Sequence, residues 1–178
     1  QRTAEKLVPK GKPVLALGPA ANWQYKQWPV QHFIILIGAL TATNGLLPDA
    51  SVMVLAGENE RDQVVPLLRA IPDARRIEVI GKDLQTVAAC LNRADLYVGN
   101  DSGLMHLAAA LDVPTVGLFG VGYPEIYGPW GKRCAAVTTP ETRDELWARL
   151  ANSNPPPKTL LDNLSVERVV EAVKKVLA

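Results

Sequence analysis

Residues suited to metal or redox chemistry are scarce in this sequence: 178 residues hold two cysteines and two histidines. Cys90 and Cys134 stand alone in apolar segments, without the paired spacing of a zinc site or a disulfide framework. They read as reduced core thiols. An excess of one charge is also missing. Nineteen Lys and Arg against 18 Asp and Glu leave a formal charge of +1, which argues against nucleic acid as a partner, because duplex binding leaves a strong basic surplus. Long apolar runs are absent. The longest, Phe33 to Leu40, is broken by Gly38 and falls short of the roughly 18 residues of a membrane span. The opening residues Gln1 to Lys6 lack the apolar core of a signal peptide. These absences point to the cytosol, with at most peripheral membrane contact. Gln1 reads as the edge of a fragment that a short charged segment joins to the first strand.

Three familiar signatures are missing too. No G-x-G-x-x-G follows the first apolar run, no G-x-x-x-x-G-K-[ST] occurs, and no G-x-S-x-G is found. Nicotinamide dehydrogenases, P-loop nucleotidases and serine hydrolases are thereby disfavoured.

What is present is an alternation. Apolar runs at Val14–Leu17, Val52–Leu55, Ile77–Ile80, Leu96–Val98 and Thr115–Phe119 read as strands, and Ala135–Val137 as a short sixth. Helical periods lie between them. One opens at Trp28-Pro29 and closes at Asn44-Gly45, and one runs from about Glu60 to Ala70 around Pro66. Another is capped by Asp83 and carries Leu84, Val87, Ala88 and Leu91 on its apolar face; the next spans Gly103–Leu111. Asn152 to Pro157 reads as a stiff linker, and Val166, Val169, Val170 and Val173 mark a terminal amphipathic helix. At 48% hydrophobic and 21% charged, this is one globular α/β domain. Its parallel sheet carries helices on both faces, because unbroken apolar strands need cover on each side.

In open parallel sheets ligands bind beyond the carboxyl ends of the strands. That rule selects the loops Gly18–Trp28, Gly57–Glu60, Gly81–Asp83, Gly99–Gly103 and Gly120–Trp130. The strongest element is G-N-D-S-G-L-M-H-L-A-A-A, Gly99 to Ala110. A strand ends in a tight polar turn and a small-residue helix begins, so the N–H groups of Ser102, Gly103 and Leu104 face outward at the positive end of the helix dipole. Gly103 leaves room for a phosphate. His106, four residues after Ser102, shares its face. A carboxylate repels phosphate, so Asp101 is assigned to capping or to sugar hydroxyls. The alternative is a plain helix cap with His106 as a half-buried packing residue. In Asn22 to Pro29, Lys26 stands where it neutralises a phosphate, and Trp28 anchors the loop to the core. Glu58 and Glu60 are placed either for ribose hydroxyls or as first-turn helix acids. His32 reads as a surface or packing residue.

On G-P-A-A-N-W-Q-Y-K-Q-W-P, V-L-A-G-E-N-E-R and A-D-L-Y-V-G-N-D-S-G-L-M-H-L-A-A-A-L-D-V-P-T-V-G-L-F-G, the sequence resembles glycosyltransferase family 9, the lipopolysaccharide heptosyltransferases. The likeness is to the C-terminal domain of that family, from Pro13 to the terminal helix. It implies half of a GT-B fold, two Rossmann-like domains facing across a cleft. Residues 1–178 would be the donor-binding domain, and the N-terminal acceptor domain, with the catalytic base, would lie outside this chain. The implied activity is inverting transfer of heptose from ADP-heptose to a lipid A/Kdo-type acceptor in the lipopolysaccharide inner core, at the cytoplasmic face of the inner membrane. The donor is a substrate, and no bound metal or cofactor is obligatory. By the same likeness Lys26 contacts the diphosphate or sugar, Glu60 the ribose, and the loop around Lys82 the adenine. Asp101 faces the sugar; Ser102, Gly103 and His106 lie on the diphosphate. Val121-Gly122 stand where members often have Pro and a hydroxyl residue, and Ala20-Ala21 replace hydroxyl residues. A non-catalytic nucleotide-binding module and a GT-B UDP-sugar enzyme such as a 2-epimerase are the alternatives.

Overall fold

The computed structural model describes residues 2–8 and 11–178; Gln1 lies outside them. Each apolar run forms a strand: β1 (Val14–Gly18), β2 (Ser51–Ala56), β3 (Arg76–Ile80), β4 (Leu96–Asn100), β5 (Thr115–Phe119) and β6 (Cys134–Thr138). They make a six-stranded sheet in the order β3-β2-β1-β4-β5-β6, with every pairing parallel. This is the strand order of the dinucleotide-binding fold. Chain direction across the sheet reverses between β1 and β4, which opens a crevice at their carboxyl ends.

Helices cover both faces, and alternate strand residues feed two cores. Leu15, Leu17, Val52, Val54 and Val98 pack against α2 (Val30–Thr41), α3 (Arg61–Ala70) and α8 (Val166–Leu177). Ala16, Met53, Leu55, Tyr97 and Phe119 pack against α1 (Arg2–Leu7), α4 (Leu84–Leu91) and α5 (Gly103–Ala110). The terminal helix buries Val166, Val169, Ala172, Val173 and Val176 on one stripe, and each full valine burial contributes about 1.5–3 kcal/mol.

Several boundaries differ from the sequence reading. Helix α2 ends at Thr41 with Pro29 at its N-cap, so Asn44-Gly45 lies beyond it. There the chain folds back: Gly45 donates to Ala42, and Leu47 to Leu40. A 3-10 turn over Glu58–Glu60 precedes α3. Three helices went unread: α1, which the sequence showed only as a short charged segment, α6 (Pro124–Tyr127) and α7 (Arg143–Asn152). Beyond the exposed linker, residues 159–164 pack back onto the β1–α2 loop: Leu160 N–H donates to the Tyr25 carbonyl at 3.0 Å, and Thr159 Oγ1 donates to the Gln27 carbonyl. Cys90 is a buried core thiol as expected, whereas Cys134 is only half-buried because β6 is an edge strand. Both thiols are free. Among the described residues, no helix is long and apolar enough to cross a membrane.

Candidate functional site

The carboxyl ends of β1, β2 and β4, with the turn after β3, surround a cleft of about 520 Å³, within the range of small-molecule sites. Its lining includes Lys26, Glu60, Lys82, Asp101, Ser102 and Gly103. Six of the seven residues singled out in the sequence therefore meet in one place. The seventh, His106, is exposed on α5 one turn after Ser102 and outside that lining.

The start of α5 forms the cleft's central wall. Ser102 is the N-cap in extended conformation, and its side chain makes no capping bond. Met105 N–H closes the first turn on the Ser102 carbonyl at 3.2 Å, so the N–H groups of Gly103 and Leu104 have no intrahelical acceptor. A Cβ on Gly103 would meet no atom within 4 Å; glycine keeps the approach to those donors open.

Asp101 does not cap the helix. Its Oδ2 lies 2.7 Å from Lys26 Nζ, the side chains being 14% and 27% exposed. Lys26 ends a 3-10 turn, Gln24–Lys26, which is held rigidly. Trp28 is buried as expected, donating through Nε1 to the Leu164 carbonyl at 2.8 Å and meeting Phe33 edge-on at 4.9 Å. His32 packs edge-on against the same indole at 5.2 Å. Asn100, fully buried at the end of β4, fastens the loop at two points. Its Oδ1 accepts from Trp28 N–H at 2.9 Å, and its Nδ2 donates to the Pro19 carbonyl at 2.8 Å. Sequence reading passed over Asn100, although an amide inside an apolar strand was a visible signal.

Two hydroxyls lie buried beneath this wall. Ser102 Oγ and Tyr97 Oη have no hydrogen-bond partner. Burial pushes the Tyr97 phenol well above its usual range; the Ser102 hydroxyl is near enough to oppose that shift, yet outside hydrogen-bond geometry. The Tyr97 ring occupies space that Gly18 and Gly99 leave free, since a Cβ on either would fall 2.0 and 2.4 Å from Oη.

The β2–β3 end of the cleft is more apolar. Leu84, expected in the core, is 69% exposed and lines the cleft with Ala56 and Val87. Beside them Glu60 is half-buried and accepts Gly57 N–H at 2.7 Å through Oε2. Lys82 is exposed. Gly81 turns the chain there at φ +63°, a conformation that favours glycine. Asp83 caps α4 as expected, accepting Thr86 N–H at 2.9 Å. The β5 loop contributes least: a Cβ on Gly122 would lie 3.0 Å from Asp101 Oδ2, while Trp130 stands 92% exposed away from the lining. Among the described residues no group of three or more His, Cys, Asp or Glu gathers as metal ligands. An apolar slot, a row of free N–H groups and a charged end thus follow one another across the sheet, a sequence of environments suited to base, diphosphate and polyhydroxyl groups.

Comparison with known proteins bears on the family and the fold. The family profile described as glycosyltransferase family 9 (heptosyltransferase) matches residues 1–149. The chain is 31% identical over 116 residues to lipopolysaccharide heptosyltransferase 1 of Escherichia coli K12, covering 65% of this chain and 34% of that protein. With lipopolysaccharide heptosyltransferase 1 of Pseudomonas aeruginosa it shares 32% identity over 124 residues, 68% of this chain and 33% of the relative. Among solved structures, E. coli ADP-heptose lipopolysaccharide heptosyltransferase II superposes with a TM-score of 0.79 at 21% identity, over 99% of this chain and 50% of that one. E. coli heptosyltransferase WaaC with ADP gives 0.70 at 24%, over 93% and 44%. The chain thus spans about a third of the curated relatives' length and half of the solved ones.

Proposed function

The chain belongs to glycosyltransferase family 9, and on that footing we propose that it is the donor-binding half of an inverting heptosyltransferase of lipopolysaccharide synthesis. The observation that carries this reading is the junction at β1 and β4, where Lys26 and the open N-terminus of α5 meet in one cleft. ADP-heptose is the donor that best suits it. The adenine lies in the slot of Leu84, Val87 and Lys82, and Glu60 accepts from the ribose. The diphosphate lies on Ser102 and the N–H groups of Gly103 and Leu104, with Lys26 at its sugar side. His106, one turn along α5 from Ser102, is assigned to the same phosphates. Asp101 receives sugar hydroxyls.

The mechanism follows from where charge grows. An acceptor hydroxyl attacks the anomeric carbon from the face opposite the leaving group. The bond to the β-phosphate oxygen breaks with inversion, and the acceptor's proton passes to a base on the N-terminal half. Negative charge develops on the departing ADP, where the helix dipole and Lys26 are already oriented to stabilise it. The acceptor, a lipid A/Kdo-type molecule, is held by the other half at the cytoplasmic face of the inner membrane, with at most peripheral membrane contact. No bound metal is obligatory on this reading.

The test is transfer. The full-length parent protein forms a glycosidic product from ADP-heptose and a Kdo-bearing acceptor, and this chain alone forms none. Transfer by the isolated chain, or failure of the full-length protein with every ADP-sugar, contradicts the proposal.

A further inference from the structure

A row of aromatic side chains at one end of the cleft takes no part in the functions assigned above. Trp23 lines the cleft and is 59% exposed. Its ring stacks on Tyr25, with centroids 5.8 Å apart and planes inclined by 28°. Tyr25 in turn meets Trp147 of α7 edge-on at 5.9 Å. Arg143 lies 4.2 Å over the Tyr123 ring and 5.9 Å from that of Trp147. Behind them Tyr25 packs on the small core of Val121, Leu146 and Leu160. One face of the Trp23 indole is therefore fixed by a neighbouring ring that is itself anchored, and the remainder stays open to the cleft. A large apolar surface held still beside polar groups is how binding sites present a ring to a ligand.

Strand order indicates which part of a ligand arrives there. The slot of Leu84 and Val87 lies at the β2–β3 end, and the start of α5 follows β4 in the middle. Tyr25 packs against Val121, which follows β5, so the aromatic row runs from the cleft toward the β5 end of the sheet, away from the β2–β3 end that holds the slot. A nucleotide-sugar with its base in the slot and its diphosphate on α5 carries its third part, the sugar, to Lys26, Asp101 and Trp23.

We propose that Trp23 is the stacking platform for the pyranose ring of the donor, with Tyr25 and Trp147 as positioning residues that hold the indole. This rests on the donor-site reading above. One face of a pyranose presents C–H bonds polarised positive, which match the negative face of an aromatic ring. The hydroxyls at the ring edge stay free for Lys26 and Asp101. Trp23 thereby distinguishes a nucleotide that carries a sugar from the bare nucleotide.

The experiment is calorimetric titration of this chain, wild type, Trp23→Ala and Trp23→Phe, with ADP and with ADP-heptose. Trp23→Ala weakens ADP-heptose binding about tenfold, which is ~1.4 kcal/mol, keeps ADP within about twofold, and Trp23→Phe recovers most of the loss. Equal losses for both ligands place Trp23 on the nucleotide and overturn the proposal, as does no loss for either. A wild type that binds neither ligand overturns the donor-site reading itself, and the platform with it.

Discussion

Lys26 and Asp101, 75 residues apart in the chain, meet at 2.7 Å across the point where strand order reverses. Each comes from the carboxyl end of one of the two strands that flank the crevice. The lysine is engaged by a carboxylate that, under the proposed donor site, a phosphate must displace or lie beside. Under that proposal Asp101 opposes binding of a bare diphosphate while orienting Lys26. Asp101→Asn should tighten ADP binding by about three- to tenfold, and Lys26→Ala should weaken it by roughly ten- to a hundredfold, the range of a charge-assisted hydrogen bond. Calorimetry of both variants checks this. Weaker ADP binding in Asp101→Asn would show that the carboxylate supports the diphosphate instead.

Asn100 holds the lysine loop in place from inside the sheet. Its two bonds, to Trp28 N–H and the Pro19 carbonyl, are buried, and losing them strands both backbone groups. Asn100→Ala should cost about 2–3 kcal/mol, seen as a fall in Tm of roughly 4–12 °C at this size. Thermal unfolding measures it, and a shift near zero would mean that the loop is held by Trp28 alone.

Tyr97 fits because Gly18 and Gly99 carry no side chain. Gly18→Ala should destabilise by about 1–3 kcal/mol through overpacking. Combined with Tyr97→Val, the same substitution should cost less than the two single effects added together. Additive effects in a double-mutant cycle would refute direct contact. Tyr97→Phe, which removes a buried hydroxyl without a partner, should leave stability unchanged or slightly raised.

The cap of α4 sets an acid limit close to the site. Bonds from the Thr86 hydroxyl and its backbone N–H hold Asp83 below the usual carboxylate range, and the Thr142 backbone and hydroxyl do the same for Glu145 at the start of α7. A carboxylate whose folded pKa is depressed stabilises the fold above its unfolded pKa. That contribution is lost as pH falls through the folded value. Stability followed from about pH 5 to pH 2 should therefore decline more shallowly in Asp83→Asn and Glu145→Gln than in wild type. Identical slopes would show that neither cap is coupled to folding.

All six strands, the Asp83 cap and the turn Gly99–Gly103 were legible in the sequence, because each is a local pattern: an apolar run, a capping side chain, a glycine at a tight polar turn. What escaped depends on distance or on weak periodicity. Helix α7 fully buries only Leu146, so no apolar stripe announces it, although Thr142 and Glu145 bond each other as a capping pair. Leu84 looked like one more core residue at helical spacing; its place on the first turn of α4 turns it into the cleft instead. The Lys26–Asp101 pair and the glycine space around Tyr97 arise where adjacent strands meet, and no local spacing encodes them. His106 shares a helix with Ser102, but that alone does not bring it to the cleft lining.

The most direct measurement is titration of this chain with ADP, UDP and GDP, followed by thermal unfolding and repeated on Lys26→Ala. At ten times the dissociation constant, ADP should stabilise the wild type by about 1.4 kcal/mol, or roughly 3–6 °C, with less effect on Lys26→Ala and little from UDP or GDP. A UDP preference, or an ADP effect that Lys26→Ala leaves intact, would contradict the account of this cleft as an ADP-sugar donor site.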